Sequence, residues 1–103
     1  MAIASAVTEK LAEIRALCER LKIAKLWVFG SASRGDWDPS RSDIDFLAEF
    51  SNQAPVADQL LGLYAGLGEI FPCRVDLISI RGVKNPRFRA VLERTRLPIY
   101  AAA

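Results

Sequence analysis

Three aspartates lie in segments that otherwise have the composition of buried strands. Asp43 and Asp45 begin the run "DIDFLAEF", and Asp76 lies inside the apolar run "RVDLIS". Residues i and i+2 of a β-strand point to the same face, so Asp43 and Asp45 project together. Two carboxylates at close range repel each other, and partial burial adds a desolvation cost. If the two strands are neighbours, all three acids meet, and a positive charge must lie with them.

Two kinds of positive charge could occupy such a site. A lysine or arginine of the chain is one. The other is a divalent cation, because a cluster of oxygen ligands alone is preferred by Mg²⁺ or Mn²⁺, which keep water positions open for phosphate oxygens.

A candidate phosphate-binding segment precedes the acids. Gly30 ends the apolar run "AKLWVF", and Ser31 begins "SASRG". A glycine lets the backbone approach a ligand closely, and amides at the start of a helix attract anions. Ser31 can add its hydroxyl and Arg34 a charge directed at phosphate. These features predict phosphate binding by Gly30, Ser31 and Arg34.

Each of these residues also has a simpler interpretation. The aspartates could cap helices or pair with arginines at strand ends. Gly30 and Ser31 could form an ordinary turn. Arg34 could pair with Asp36 or Asp38.

Composition narrows the possible functions. The 103 residues, numbered 1–103, fit a single domain. The chain has no histidine, which excludes imidazole catalysis and a Ser-His-Asp triad. A net charge of +2 is too small to indicate nucleic-acid binding, and no direct nucleic-acid contact is expected. Without a long apolar run we expect no membrane span and a cytoplasmic protein, with Cys18 and Cys73 as reduced core residues.

Hydrophobic periodicity predicts a small α/β fold with a mixed sheet of about three strands flanked by helices. The apolar positions on one side of the second long helix are expected to face the core. They are Val56, Leu60, Leu63, Tyr64, Leu67 and Phe71. The basic segment 81–96 is expected to be a solvated helix face, or else a surface that faces phosphates or an acidic partner. The predicted helices span 8–22, 55–71 and 85–95, and the predicted strands span 24–29, 43–50 and 73–80.

The order Gly-Ser, loop, Asp-x-Asp and later strand acid resembles the signature of the minimal nucleotidyltransferases (MNT proteins) of the polymerase-β-like nucleotidyltransferase superfamily. Arg34 matches an arginine often found before the second glycine. The loop between Ser31 and Asp43 is one residue longer than the usual family spacing. The signature positions are Gly30, Ser31, Gly35, Asp43, Asp45 and Asp76.

This resemblance implies a metal-dependent activity. Two Mg²⁺ or Mn²⁺ ions held by Asp43, Asp45 and Asp76 would bind a nucleoside triphosphate and transfer its nucleotidyl group to an acceptor hydroxyl. Asp45 would bridge the ions, and Asp76 would hold the catalytic ion and help to deprotonate the acceptor. Gly30 and Ser31 would hold the β- and γ-phosphates.

Small MNT proteins resemble the antitoxin half of HEPN/MNT toxin–antitoxin pairs. The implied substrate is ATP, and the implied acceptor is a tyrosine of a HEPN ribonuclease toxin in a hetero-oligomer. Trp37 is a candidate contact with such a partner, or packs on its own domain. Two alternatives remain, which are neutralisation of the partner by binding alone and transfer to a small-molecule acceptor.

Overall fold

Helices and strands alternate along the chain in the computed structural model, which describes residues 5–34, 38 and 43–102. The bounds of the predicted elements agree with the observed ones to within a few residues, except that the first helix is divided in two. In chain order the elements are α1 (Ser5–Thr8), α2 (Leu11–Leu21), β1 (Ile23–Phe29), α3 (Ser31–Arg34), β2 (Ile44–Phe50), α4 (Val56–Ile70), β3 (Val75–Ser79), a 3₁₀ turn (Ile80–Gly82), α5 (Pro86–Thr95) and β4 (Leu97–Ala101).

The strands form one mixed sheet in the order β3-β2-β1-β4. β1 is antiparallel to both β2 and β4, whereas β2 and β3 are parallel. A parallel pair needs a long crossover connection, which α4 provides. The prediction of an α/β fold with a small mixed sheet is confirmed.

The fourth strand was not predicted from the sequence. β4 is only five residues long and contains Pro98, which pairs with Trp27 beside a register shift. Proline cannot donate a backbone hydrogen bond and is normally confined to edge strands or bulges. Because β4 is an edge strand, its sequence "LPIYA" is compatible with the sheet although it does not have the pattern of a central strand.

The core lies mainly between the sheet and the helices α2 and α4. Ile14 of α2, Leu26 of β1, Phe46 of β2 and Leu63 of α4 are all fully buried there. A smaller cluster on the opposite face combines Leu47, Val83 and Leu92, with Trp27 and Phe29 packed against it. The sheet therefore has a deep core on one face and a thin one on the face that α5 covers.

The α4 helix buries only part of the side predicted from its hydrophobic pattern, since Leu63, Leu67 and the following Phe71 are buried but Val56, Leu60 and Tyr64 are not. Its buried residues are Gln59, Leu63 and Leu67, whereas Val56 and Tyr64 are 53% and 54% exposed. The reason lies in its glycines, which face α2. A Cβ atom added at Gly62 would lie 2.7 Å from a Leu21 side-chain carbon, and one at Gly66 would lie 2.6 Å from Leu17. Close approach of the two helices fixes the rotation of α4, so Val56, Leu60 and Tyr64 are left at the surface.

The α5 helix begins where the sequence indicated. The Asn85 side chain accepts hydrogen bonds from the backbone amides of Arg87 and Phe88, and Pro86 occupies the first helical position. Leu92 is its buried residue. The arginines and the lysine of segment 81–95 are exposed, whereas Arg96 lies over the Trp27 ring at 4.3 Å from its centroid. Within the described residues, no helix has the length and apolarity needed to cross a membrane.

Candidate active site

The strand register brings Asp45 and Asp76 together. Asp45 is the direct partner of Asp76 in the parallel β2–β3 pair and of Phe29 in the antiparallel β1–β2 pair. Paired residues point to the same face of a sheet. Asp43 lies two residues before Asp45, so all three aspartates are at the amino-terminal edge of β2 and β3, on the face that carries Leu47.

Gly30 follows β1 directly and packs against the Asp45 carboxylate. Its φ of 70° lies in the left-handed region, which favours glycine. A Cβ atom at this position would lie 2.5 Å from Oδ2 of Asp45. The backbone of Gly30 can approach the acid this closely only because the residue has no side chain.

Ser33 fixes the turn that follows Gly30. Its backbone amide and its hydroxyl both donate to the Gly30 carbonyl, at 3.1 and 2.9 Å, and the residue is buried. Sequence reasoning singled out Ser31, the half-buried first residue of α3, and did not identify Ser33. A serine three residues after a glycine that ends a strand is the signal that could have identified it.

Three further residues predicted from the sequence have side chains or backbone outside the described part of the chain. Arg34 ends α3, but its side chain lies outside the described residues, so its pairing with Asp36 or Asp38 stays a prediction. Gly35 and Trp37 also lie outside them.

An arginine that was not singled out from the sequence lies between two of the aspartates. Nε of Arg74 is 3.5 Å from Oδ1 of Asp76 and 3.8 Å from Oδ2 of Asp43. Arg74 is two residues before Asp76, and this i, i+2 spacing is the signal that could have identified it. The sequence left open whether a basic side chain or a divalent cation offsets the charge of the aspartates. The structure places a basic side chain, Arg74, beside two of them.

The aspartates fit a divalent cation in the type and accessibility of their ligand atoms. All three offer carboxylate oxygens, the ligands that Mg²⁺ prefers. The Asp43 and Asp76 side chains are 40% and 41% exposed, which leaves their oxygens accessible. No group of three or more His, Cys, Asp or Glu side chains is already placed to hold an ion among residues 5–34, 38 and 43–102.

The charge of Asp43 also acts on a neighbouring thiol. Burial raises the pKa of Cys73, a backbone hydrogen bond lowers it, and the negative charge of Asp43 raises it further. Cys73 is therefore a protonated thiol at neutral pH and not an activated nucleophile. The pKa of Cys73 depends in part on the charge of Asp43.

A cavity of about 480 Å³ opens at the opposite end of β2 and β3 from the aspartates. Its lining includes Glu49, Asn52, Ser79 and Arg81, and none of the three aspartates. The candidate site lies instead at the amino-terminal ends of β2 and β3, where Asp45 pairs with Asp76.

Comparison with known proteins supports the resemblance found in the sequence. A sequence model of the nucleotidyltransferase domain family matches residues 12–98. A curated relative, the candidate protein adenylyltransferase MJ1379 of Methanocaldococcus jannaschii, is 33% identical over 78 residues, which cover 75% of this chain and 77% of the relative.

Solved structures agree with this assignment. A candidate minimal nucleotidyltransferase superimposes with a TM-score of 0.76 at 29% identity, covering 94% of this chain and 96% of the other. A complex of an MNT antitoxin with a tri-AMPylated HEPN toxin of Shewanella oneidensis gives a TM-score of 0.63 at 16% identity, with coverages of 92% and 72%. The similarity to the antitoxin of this complex shows a shared fold only. With the family model spanning most of the chain and a curated relative at this identity, the chain belongs to the nucleotidyltransferase domain family.

Proposed function

We propose that this protein is a metal-dependent adenylyltransferase that transfers AMP from ATP to a tyrosine of a HEPN ribonuclease toxin, and so acts as its antitoxin. The observation that carries the proposal is the register of Asp45 with both Asp76 and Phe29, which places Gly30 and the three aspartates at one corner of the sheet. Family membership supplies the nucleotidyl-transfer chemistry.

In this proposal the aspartates bind and position the reacting groups. Asp43, Asp45 and Asp76 would hold the Mg²⁺ or Mn²⁺ ions, with Asp45 as the shared ligand. When bound, the ions would supply charge neutralisation for the in-line displacement. Gly30 and Ser31 orient the β- and γ-phosphates through the backbone and the hydroxyl.

The transfer itself is an in-line displacement. The acceptor hydroxyl oxygen forms a bond to the α-phosphorus while the bond from that phosphorus to the bridging oxygen breaks. Pyrophosphate leaves with the electron pair, and Asp76 accepts the hydroxyl proton.

Two observations support a protein acceptor. The M. jannaschii relative is named as a candidate protein adenylyltransferase, and the Shewanella oneidensis complex joins an MNT antitoxin to an AMPylated HEPN toxin. The surface of α4 also fits a lasting protein complex. Val56, Leu61 and Tyr64 are 53%, 66% and 54% exposed, and exposed apolar patches often mark protein interfaces.

The same apolar surface favours a second candidate function, neutralisation of the toxin by contact without chemistry. The two functions differ in their need for the aspartates. A binding protein would neutralise its partner equally well after the carboxylates are removed.

The test is to incubate the purified protein with a candidate HEPN partner, α-labelled ATP and Mg²⁺, and to measure the intact mass of both chains. We expect the partner to gain adenylyl units with the wild type and with Glu13→Gln, a change of an exposed acid on α2. The Asp43→Asn/Asp45→Asn variant should give none. A stable complex without mass gain from the wild type would refute the proposed transfer and leave neutralisation by contact.

A further inference from the structure

Arg74 is a charged residue of the candidate site to which the proposed reaction assigns no role. We infer that Arg74 is an internal counter-ion of Asp43 and Asp76 that an arriving divalent cation must displace. This inference rests on the proposed function, because it concerns the ion site that the function requires.

The geometry places one positive group between two negative ones. Nε of Arg74 lies 3.5 Å from the Asp76 carboxylate and 3.8 Å from that of Asp43. The two acids belong to neighbouring segments of the sheet, since Asp43 directly precedes β2 and Asp76 is the second residue of β3. The guanidinium therefore offsets repulsion that would otherwise turn the two carboxylates apart.

The ion pairs are weak enough to be exchanged. Both distances exceed the roughly 2.7–2.9 Å of a charge-assisted hydrogen bond. The Arg74 side chain is 74% exposed, so water competes for its charge and its long side chain can leave without breaking core contacts. Arg74 can hold the acids in place and still give way to a stronger cation.

Removal of the guanidinium charge should therefore strengthen cation binding. A divalent ion that reaches the two carboxylates must displace the Arg74 guanidinium. The displaced guanidinium is still close to the ion and repels it. Coulomb interactions over this range in a water-exposed site correspond to about a three- to ten-fold change in affinity. The effect should shrink as salt is added, because both charges are exposed.

The experiment is a titration of the protein with Mn²⁺ at low ionic strength, with free Mn²⁺ measured by electron paramagnetic resonance. We expect Arg74→Gln to bind Mn²⁺ about three- to ten-fold more tightly than the wild type. Arg74→Lys keeps the charge and should stay within about two-fold of the wild type. Arg20→Gln removes an equal charge from the exposed end of α2 and should also stay within about two-fold.

Circular dichroism of each variant establishes that it is folded, which is expected because Arg74 is exposed. Unchanged or weaker Mn²⁺ binding by Arg74→Gln would overturn the inference. So would equal tightening by Arg20→Gln, which would indicate a general effect of net charge, or tightening by Arg74→Lys. If neither the wild type nor Arg74→Gln binds Mn²⁺, the proposed metal site fails and the inference fails with it. Binding by the wild type that Arg74→Gln does not alter rejects the Arg74 inference alone.

Discussion

Gly30 has no side chain, and this allows its backbone to lie against the Asp45 carboxylate. Gly30 combines a positive φ with a position against the Asp45 carboxylate. Either feature alone would disfavour another residue, and together they leave glycine as the residue that fits. The Gly-Ser step is thus explained by the packing of the acid as well as by any role in phosphate binding.

Gly30→Ala should destabilise the protein by about 1–3 kcal/mol, because the new methyl group needs a left-handed backbone and meets a carboxylate oxygen. Urea unfolding measures the loss. Gly68→Ala is the matched control, since no atom lies within 4 Å of a Cβ added there and the residue is in the α4 helix. The control should stabilise the protein by up to about 1 kcal/mol. Equal effects of the two substitutions would contradict this account of Gly30.

The thiol of Cys73 provides a direct probe of the charge on Asp43. Asp43→Asn removes a negative charge that raises the pKa of Cys73, so the pKa should fall. A lower pKa increases the thiolate fraction at pH 8, and Cys73 should react faster with a thiol reagent such as DTNB. Cys18 is buried and does not compete. Asp58→Asn on the distant α4 should leave the rate unchanged, and an unchanged rate in Asp43→Asn would show that the two groups are not coupled.

At the scale of helices and strands, the features set by local sequence were predicted, whereas the features set by packing between elements were not. Proline at the first position of α5 and the Asn85 cap are local signals, and both were identified. The exposure of Val56, Leu60 and Tyr64 on α4 was not predicted. It depends on α2 packing against glycines of α4 that are distant from α2 in sequence. β4 was missed for a similar reason, since its pairing with β1 compensates for a weak strand pattern.

The loop between β2 and α4 depends on one buried amide. Gln59 is fully buried, and its Oε1 accepts from the Ser51 backbone amide at 2.9 Å. Its Nε2 donates to the carbonyls of Ser51 and Ala54 at 2.9 and 2.7 Å. This explains a polar residue in the buried stripe of α4, where the pattern alone would favour leucine.

Gln59→Leu should therefore destabilise the protein by about 2–4 kcal/mol, since it leaves three backbone groups without their partner in a buried place. Gln53→Leu, at an exposed position of the same loop, should change stability by less than about 0.5 kcal/mol. Urea unfolding midpoints of the two variants give the comparison. A neutral Gln59→Leu would mean that the loop is held by other contacts.

At the scale of the whole molecule, the sequence predicted which residues share a face but not which strands are neighbours. The i, i+2 rule was sufficient to place Asp43 and Asp45 together. The pairing of Asp45 with Asp76 depends on the order β3-β2-β1-β4, which follows from the crossover through α4 and the burial of both helices on one face. The role of Arg74 beside them depends on the same assembly.

The free energy of unfolding should depend on pH through the buried thiol of Cys18. Burial raises the pKa of Cys18 to about 12 from an ordinary value of 9.0. In the unfolded chain the thiol ionises near its ordinary value, so above about pH 9 the unfolded state holds fewer protons than the folded state. The stabilisation that the buried, protonated thiol of Cys18 contributes is fully present below about pH 9 and is lost as the pH rises towards 12.

The free energy of unfolding should consequently fall by about 1.4 kcal/mol per pH unit between pH 9 and 12 through this group alone. Lysines and tyrosines also ionise in that range, so the measurement is the difference between the wild type and Cys18→Ala in urea unfolding at a series of pH values. That difference should be constant from pH 6 to 8 and should shrink by about 2 kcal/mol by pH 10.5. A difference that stays constant up to pH 10.5 would mean that the thiol ionises without unfolding of the core around α2.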